Sequence, residues 1–449
     1  MSKKLVILGG GVSGYGTAIL AKKQGFDVFL SDRGSLSEKY IALLEEWGVE
    51  YEQGGHSVER IMEADEVVKS PGIPDKAELI VALRAKGTPV VSEIEFAGRY
   101  IGDAKVVCIT GSNGKTTTTS LIYKVLKDAG LNVALGGNIG ESFAYSVATQ
   151  SVDWYVLEIS SFQLDGMFDF RSDIAVLMNI TPDHLDRYDY KFENYAASKL
   201  RVAQNQTPSD WFIYSEDDPT IAAALQGDAL PGSAVRVPFG KQYIAEGSGA
   251  ISVSCNGVEM VLDSTKMQIA GLHNCYNAQA AAQVALAAGV GAESIARSIY
   301  SFSPVEHRLE PAGTVENVEF INDSKATNVD SVWYALESMT KPTVWIAGGT
   351  DKGNDYEPLK AFARQKVHTL VCMGVDNAAL EKAFCGVVPT IISCGSLDAA
   401  MKAAVAAANS GDAVLLSPAC ASFDLFKNYE NRGELFKEWV ANYAKSEEK

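Results

Sequence analysis

Short apolar runs, each closed by glycine or a polar turn and followed by an amphipathic stretch, recur along the whole chain. This alternation limits its possible folds more than any other feature. "LVILGGGVSGYG" near the start and "VVCITGSNGKTTTTS" further on are the plainest cases. Repeated strand–turn–helix units predict parallel sheets joined by right-handed crossovers. The expected strands of the first part are Leu5–Leu8, Val28–Leu30, Val67–Lys69 and Val90–Val91. Those of the middle part are Val106–Thr110, Tyr155–Ile159 and Ile174–Asn179, followed by a more β-like stretch at 235–270. Those of the last part are Val318–Ile321, Thr343–Ala347, Thr369–Met373, Thr390–Ser393 and Ala413–Leu416. Three clusters of strands predict three α/β domains, each with a mainly parallel sheet, over residues 1–98, 99–305 and 306–449. A chain of 449 residues has room for that number at about 100–200 residues each.

Composition narrows the function. Hydrophobic residues make up 47% and charged residues 21% of the chain, which fits globular cores. The formal net charge is −17, so the surface repels a nucleic-acid backbone, whose binding needs clustered Lys and Arg. Anionic ligands must then be held by local groups: backbone N–H, helix N-termini, a few cations and metal ions. No apolar run is long enough to span a membrane, and the N-terminus has no signal-like segment. The seven cysteines are scattered and form no CxxC pair, which argues against a disulfide framework or a thiolate zinc site. Together these features predict a cytoplasmic protein without nucleic-acid or membrane partners.

In open parallel sheets ligands bind beyond the carboxyl ends of the strands. "VVCITGSNGKTTTTS" places a glycine turn there and then a helix, the arrangement of a phosphate-binding P-loop. In such a loop backbone N–H groups and the helix dipole wrap the phosphates, Lys115 reaches the outer ones and Thr116 ligates Mg²⁺. Gly111, Gly114, Lys115 and Thr116 fit, whereas Ile109 stands where the usual pattern has a further glycine. "WYVLE" carries Glu158 to a strand end, where a nucleotide-bound metal takes an oxygen ligand. "NITPDHLDRY" sets Asp183, His184, Asp186 and Arg187 in a turn after another strand. With Glu158 and Lys115, His184 points to metal ligation. Lys199, within "ENYAASKLRVA", reads from spacing alone as a solvated helical lysine.

The opening loop follows the dinucleotide fingerprint, with Gly9, Gly11 and Gly14 after a strand and Asp32 closing the next. Taken alone it fits an NAD site or a tight structural turn. Three activities are compatible with the loops by themselves: an ATP-dependent ligase, a dinucleotide-dependent oxidoreductase and a P-loop motor or switch.

Read in order, "ITGSNGKTT", "GGNIG", "LEISSFQL", "NITPDHLDRY", "AASKLR", "GLHNCYNAQAA", "EHRLE", "INDSKATN" and "LLSPACASFDLFKNYENRG" resemble the Mur ligases over the whole chain. The family's loop, Thr-Gly-x-x-Gly-Lys-[Ser/Thr], accounts for the glycine absent at 109. The resemblance implies Rossmann-like first and last domains and a P-loop ATPase-like central one. "SSFQL" and "SPACASFD" with "KNYENRG" resemble the member that adds D-glutamate to UDP-N-acetylmuramoyl-L-alanine in peptidoglycan precursor synthesis. The Asp-Asn-Pro-Arg element typical of the diamino-acid-adding member is absent from the sequence. The implied reaction uses ATP and two Mg²⁺ sites, and the implied state is a monomer.

By the same resemblance, Gly111, Ser112, Asn113, Gly114, Lys115, Thr116 and Thr117 hold ATP, with Asn274, Asn277, His307, Arg308 and Asp323. Thr116, Glu158, His184 and a carbamylated Lys199 ligate metal, and Lys115, Glu158, His184 and Lys199 are the implied catalytic set. Val12, Ser13, Asp32, Arg33, Gly72, Asn138, Ser160 and Gln163 surround the UDP-linked substrate, so the opening loop takes a UDP diphosphate rather than NAD. Arg33 follows Asp32 directly, which leaves the family's uracil-side arginine without a clear counterpart. Thr327, Lys352, Ser422, Phe423 and Tyr429 match positions that hold D-glutamate; Tyr429 stands where the family has Phe.

Overall fold

The computed structural model describes residues 2–227, 232–269, 271–303, 305–351 and 353–447. The first sheet contains β1 (Lys4–Leu8), β2 (Asp27–Asp32), β3 (Glu50–Gln53), β4 (Glu66–Lys69) and β5 (Val90–Val91). Its order is β3-β2-β1-β4-β5 and every pairing is parallel. The second contains β6 (Lys105–Thr110), β7 (Val133–Gly137), β8 (Trp154–Glu158), β9 (Ile174–Leu177), β10 (Trp211–Ser215) and β11 (Val235–Phe239). Its order is β11-β10-β9-β6-β8-β7, again all parallel. β12 (Ala250–Cys255) and β13 (Val258–Asp263) form a separate antiparallel hairpin.

The third sheet contains β14 (Glu310–Val315), β15 (Val318–Asn322), β16 (Thr343–Ala347), β17 (Val367–Met373), β18 (Thr390–Cys394) and β19 (Ala413–Leu416). Its order is β14-β15-β19-β16-β17-β18, and only the edge strand β14 runs antiparallel. Central strands such as β6, β8, β9, β16 and β19 are buried nearly throughout, because helices cover both faces of a parallel sheet. In each sheet the loops that matter leave strands beside a reversal of strand order: β1 lies between β2 and β4, β6 between β9 and β8, and β19 between β15 and β16. Such reversals open a crevice at the carboxyl ends.

Three large sheets and one hairpin are present among the described residues, yet the chain forms two compact units. One comprises Met1–Met267 and Cys275–Ser301, the other Gln268–Asn274 and Phe302–Lys449. The first two sheets share a unit because buried groups join them. Helix Val12–Lys23 is buried from Gly14 to Ala21, as expected of a helix with no polar face over that run. It packs on helix Phe143–Thr149 so closely that a Cβ on Gly16 would lie 1.9 Å from the Ser142 hydroxyl. Helix Glu93–Gly98 adds two buried carboxylates. Glu93 accepts from the Ser142 hydroxyl and from the Ala144 N–H at 3.0 Å. One Glu95 oxygen accepts the N–H groups of Phe168, Asp169 and Phe170 at 2.9, 3.2 and 3.0 Å.

Candidate active site

The opening loop turns from β1 into helix Val12–Lys23 beside a cavity of about 710 Å³. Gly9, Gly11, Asp32, Arg33 and Gly72 line it. Gly14 is obligatory here: a Cβ would stand 1.9 Å from the Gly9 carbonyl oxygen. The Asp32 carboxylate accepts the N–H groups of Gly10 and Gly34, both at 2.6 Å, so it shapes the loop from within. Ser13 neighbours the buried Glu93 carboxyl, whose pKa is raised chiefly by burial. The lining residues outside the sequence expectation include His56 and Ser70. His56 Nδ1 is 2.7 Å from the Ser31 hydroxyl, which also donates to Glu52 at 2.6 Å. His56 follows a polar edge strand, so no apolar period marked it.

The second loop leaves β6 and enters helix Lys115–Asp128 through Gly114, whose φ of 82° is open to glycine at little cost. Lys115 Nζ donates to the carbonyls of Gly111 and Ser112 at 2.7 and 2.8 Å, which keeps the ammonium over the loop. The segment after β9 clamps the loop from the other side. Asn179 accepts the Asn113 N–H at 2.8 Å and donates to the Asn113 carbonyl at 3.1 Å. Ser112 Oγ donates to the Thr181 carbonyl at 2.8 Å and accepts the Thr181 N–H at 2.9 Å. Thr118 donates to Asn277 Oδ1 at 3.0 Å, so Asn277 does reach this loop. Thr116 and Thr117 are buried beside it. Asn179 was visible in "NITPDH", but its work is to hold backbone, which spacing alone does not reveal.

Lys199 lies beneath the loop and is 2% exposed. Its Nζ donates to the Gly111 carbonyl at 2.9 Å and to Thr110 Oγ1 at 3.1 Å. Burial pushes its pKa well below the ordinary lysine value, Lys115 pushes it further, and Asp183, Glu158 and Asp165 oppose the shift. The sequence reading of a solvated lysine is therefore corrected: the helix Phe192–Leu200 turns this position inward. Glu158 is also buried. Its Oε1 accepts from Asn138 Nδ2 at 2.8 Å, and among the described residues its Oε2 has no hydrogen-bond partner. Asn138 thus orients the carboxylate. Ser160 and Gln163 satisfy each other in a capping box: Gln163 Oε1 accepts the Ser160 N–H and hydroxyl, both at 2.9 Å.

His184 sits in the left-handed region at φ 52°, which is uncommon for a residue other than glycine, with its Nε2 3.6 Å from Asp183 and its ring 5.2 Å from that of Phe162. Arg187, three residues on, stacks over Phe162 at 4.3 Å and donates to the Pro71 carbonyl at 3.3 Å. Among the described residues no group of three His, Cys, Asp or Glu is placed to hold a metal. What the structure brings within electrostatic reach of Lys199 is Lys115, Asp183, Glu158 and Asp165, with one buried Glu158 oxygen unused among the described residues. A hard divalent cation suits carboxylate oxygens.

The second compact unit carries the remaining candidates. Asp323 follows β15 and accepts from Ser417 Oγ at 2.7 Å and from the Leu309 N–H at 3.2 Å. Burial raises its pKa to about 7. His307 is buried at φ 62°, with Nδ1 2.9 Å from Asn322 Nδ2. Arg308 follows it, and its Nε is a buried atom without a hydrogen-bond partner among the described residues. Asn274 is buried and belongs to this unit. Thr327 ends the turn after Asp323, its N–H on the Lys325 carbonyl at 2.9 Å. Ser422 is buried and Phe423 is 71% exposed. The Tyr429 ring meets His307 edge-on at 6.2 Å. Lys352 lies outside the described residues. The loop after β16 is tied to the one after β19, since Thr350 donates to the Ala421 carbonyl at 2.8 Å.

Family comparison agrees with this layout. Residues 4–79 match the MurD N-terminal domain, residues 109–285 the Mur ligase middle domain and residues 307–420 the Mur ligase glutamate ligase domain. A protein of Christiangramia forsetii named UDP-N-acetylmuramoylalanine--D-glutamate ligase is 50% identical over 447 residues, covering 98% of this chain and 100% of that one. A protein of the same name from Bacteroides fragilis is 51% identical over 445 residues, covering 98% and 99%. Among solved structures, the UDP-N-acetylmuramate-alanine ligase MurC of Thermotoga maritima shares the fold, with a TM-score of 0.61 at 18% identity over 99% of this chain and 100% of that one. With its loops, its sheets and its full-length relatives in agreement, the chain belongs to the Mur ligase family.

Proposed function

We propose that the chain joins D-glutamate to UDP-N-acetylmuramoyl-L-alanine, with ATP converted to ADP and phosphate, in peptidoglycan precursor synthesis. The observation that carries the nucleotide chemistry is the buried Lys199 beneath the phosphate loop, close to the charge of a buried Glu158. The choice of D-glutamate follows the full-length relatives named for that amino acid. A carboxylate is a poor electrophile, and ATP makes it reactive by converting it to an acyl phosphate. The amine of D-glutamate then attacks, and the tetrahedral intermediate expels phosphate. No protein nucleophile is required, so the side chains act by positioning and charge neutralisation.

Lys115 and the N–H groups of Gly111 to Thr117 neutralise and orient the phosphates, aided by Asn274, Asn277, His307, Arg308 and Asp323. Mg²⁺, when bound at two sites, draws charge from the phosphates, and Thr116, Glu158, His184 and a carbamylated Lys199 would hold it. The neutral amine that burial favours is the form that accepts CO₂. The cavity beside Gly11 receives the UDP portion, with Asn138, Ser160 and Gln163 further along the substrate. Thr327, Lys352, Ser422, Phe423 and Tyr429 receive D-glutamate. The three sheets serve as domains over 1–98, 99–305 and 306–449, and the enzyme works as a cytoplasmic monomer. Phosphate release measured with each component left out in turn tests this. Release is expected only when ATP, the UDP-linked substrate and D-glutamate are all present; release indifferent to D-glutamate overturns the reading.

A further inference from the structure

Arg432 is fully buried, in the first turn of helix Tyr429–Glu447. A buried guanidinium is normally matched by a carboxylate at hydrogen-bond distance, because desolvating the charge is otherwise expensive. Arg432 instead spends its donors on two loops. Nε donates to Ser324 Oγ at 2.9 Å, one terminal nitrogen to the Ser324 carbonyl at 2.8 Å, and the other to the Cys420 carbonyl at 3.4 Å. Ser324 Oγ in turn donates to the Tyr429 carbonyl at 2.8 Å. Its acidic neighbours, Asp424 and Asp323, act on it only through space. Burial lowers its pKa to about 10, so it stays charged at neutral pH.

The two loops are the ones that leave the adjacent strands β15 and β19. The first runs from Asp323 to Thr327, and the second reaches Ser422 and Phe423. A backbone bond from Ala419 N–H to the Ala326 carbonyl, 3.0 Å, is their direct link. One rigid fork therefore sets the separation of segments bearing Thr327, Ser422 and Tyr429, and leaves a positive charge behind them. A buried cation without a contacting anion is costly as a mere clamp. It is useful where an anion arrives in front of it, since charges interact strongly at low dielectric.

We propose that Arg432 is a positioning residue of the amino-acid site, fixing the loops after β15 and β19 and supplying the positive field that favours a dicarboxylate amino acid. This rests on the ligase reading given above. No covalent step is involved and the side chain does not touch the substrate.

The test compares wild type, Arg432→Lys and Arg432→Met in phosphate-release kinetics, with thermal unfolding followed in parallel. Lysine keeps the charge without the planar fork, and methionine removes both. For Arg432→Lys the KM for D-glutamate is expected to rise about tenfold, with kcat within about threefold and the KM values for ATP and the UDP-linked substrate unchanged. Arg432→Met is expected to raise the D-glutamate KM about tenfold beyond that, the gap between the variants measuring the charge. If the methionine variant fails to fold, the lysine variant decides. A folded Arg432→Lys protein with wild-type KM for D-glutamate overturns the proposal, as does an equal rise in all three KM values. If wild type proves to use another amino acid, the ligase reading is corrected, and the same split measured on that amino acid decides the role of Arg432. Wild type that needs no amino acid sinks both.

Discussion

A lysine amine combines with CO₂ only when it has lost its proton, and Lys199 is held where losing it is easy. Burial acts first and the neighbouring Lys115 ammonium second. Because the folded chain binds this proton less readily than the unfolded one, stability contributed by Lys199 grows as pH rises from its depressed value towards 10.5 and is lost below that window. Replacing Lys199 by Ala is expected to lower turnover by about 10²–10³-fold, the usual loss for a removed electrostatic stabiliser. Added bicarbonate should not restore it, whereas a short carboxylic acid should do so in part. With ¹³C-bicarbonate, wild type should show a carbamate carbon signal that Lys199→Ala lacks; wild-type turnover in that variant ends the idea. Spacing alone made this residue look ordinary, and only the family pattern singled it out. Asn179 and Arg432 lie inside the quoted motifs and His56 outside them, yet none has a role that spacing shows, because the fold brings their partners near: backbone for Asn179 and Arg432, the Ser31 hydroxyl for His56.

At the scale of elements, the six-residue helix Glu93–Gly98 does more than its length suggests. Glu95 collects three successive N–H groups from Phe168 to Phe170. Removing a charged acceptor leaves buried donors unpaired, so Glu95→Ala is expected to destabilise the first unit by about 3 kcal/mol or more. Glu95→Gln, which keeps one acceptor oxygen, should lose less. Urea unfolding midpoints would show it, and an unchanged midpoint for Glu95→Ala would mean that other contacts hold Phe168–Phe170. "SEIEFAG" reads in the sequence as a boundary between domains, and the strand clusters on either side are real. What the pattern could not show is that the boundary helix is itself the fastening. The strands outside the sequence expectation have physical reasons too. β3 is polar and half exposed, β7 ends in two glycines, and β14 is an edge with Pro311 and a register shift. β10, "WFIYS", by contrast carries a full apolar and aromatic strand signal with a polar, acidic turn after it.

The whole molecule places its three large sheets in two compact units, and the division has a thermodynamic consequence. Multi-domain chains need not unfold in one step. A ligand stabilises only the unit that binds it, by about 2.7 kcal/mol at a hundredfold excess over Kd. Every residue proposed for the UDP-linked substrate, from Val12 to Gln163, lies in the first unit. Scanning calorimetry should therefore resolve two transitions, and UDP-N-acetylmuramoyl-L-alanine at about a hundred times its Kd should raise only one of them. Hydrogen exchange near that transition identifies which: protection should be gained in β1, β6 and the helix Phe143–Thr149, and not in β16 or β19. The local fastenings make the same point from the other side. Glu93 on Ser142 and Ala144, and Glu95 on Phe168 to Phe170, couple the first two sheets, so they should melt together whether or not substrate is present. A transition in which the first sheet unfolds ahead of the second would show that these buried carboxylates do not join them. A single transition moved as a whole by the UDP-linked substrate would show that the two units unfold as one.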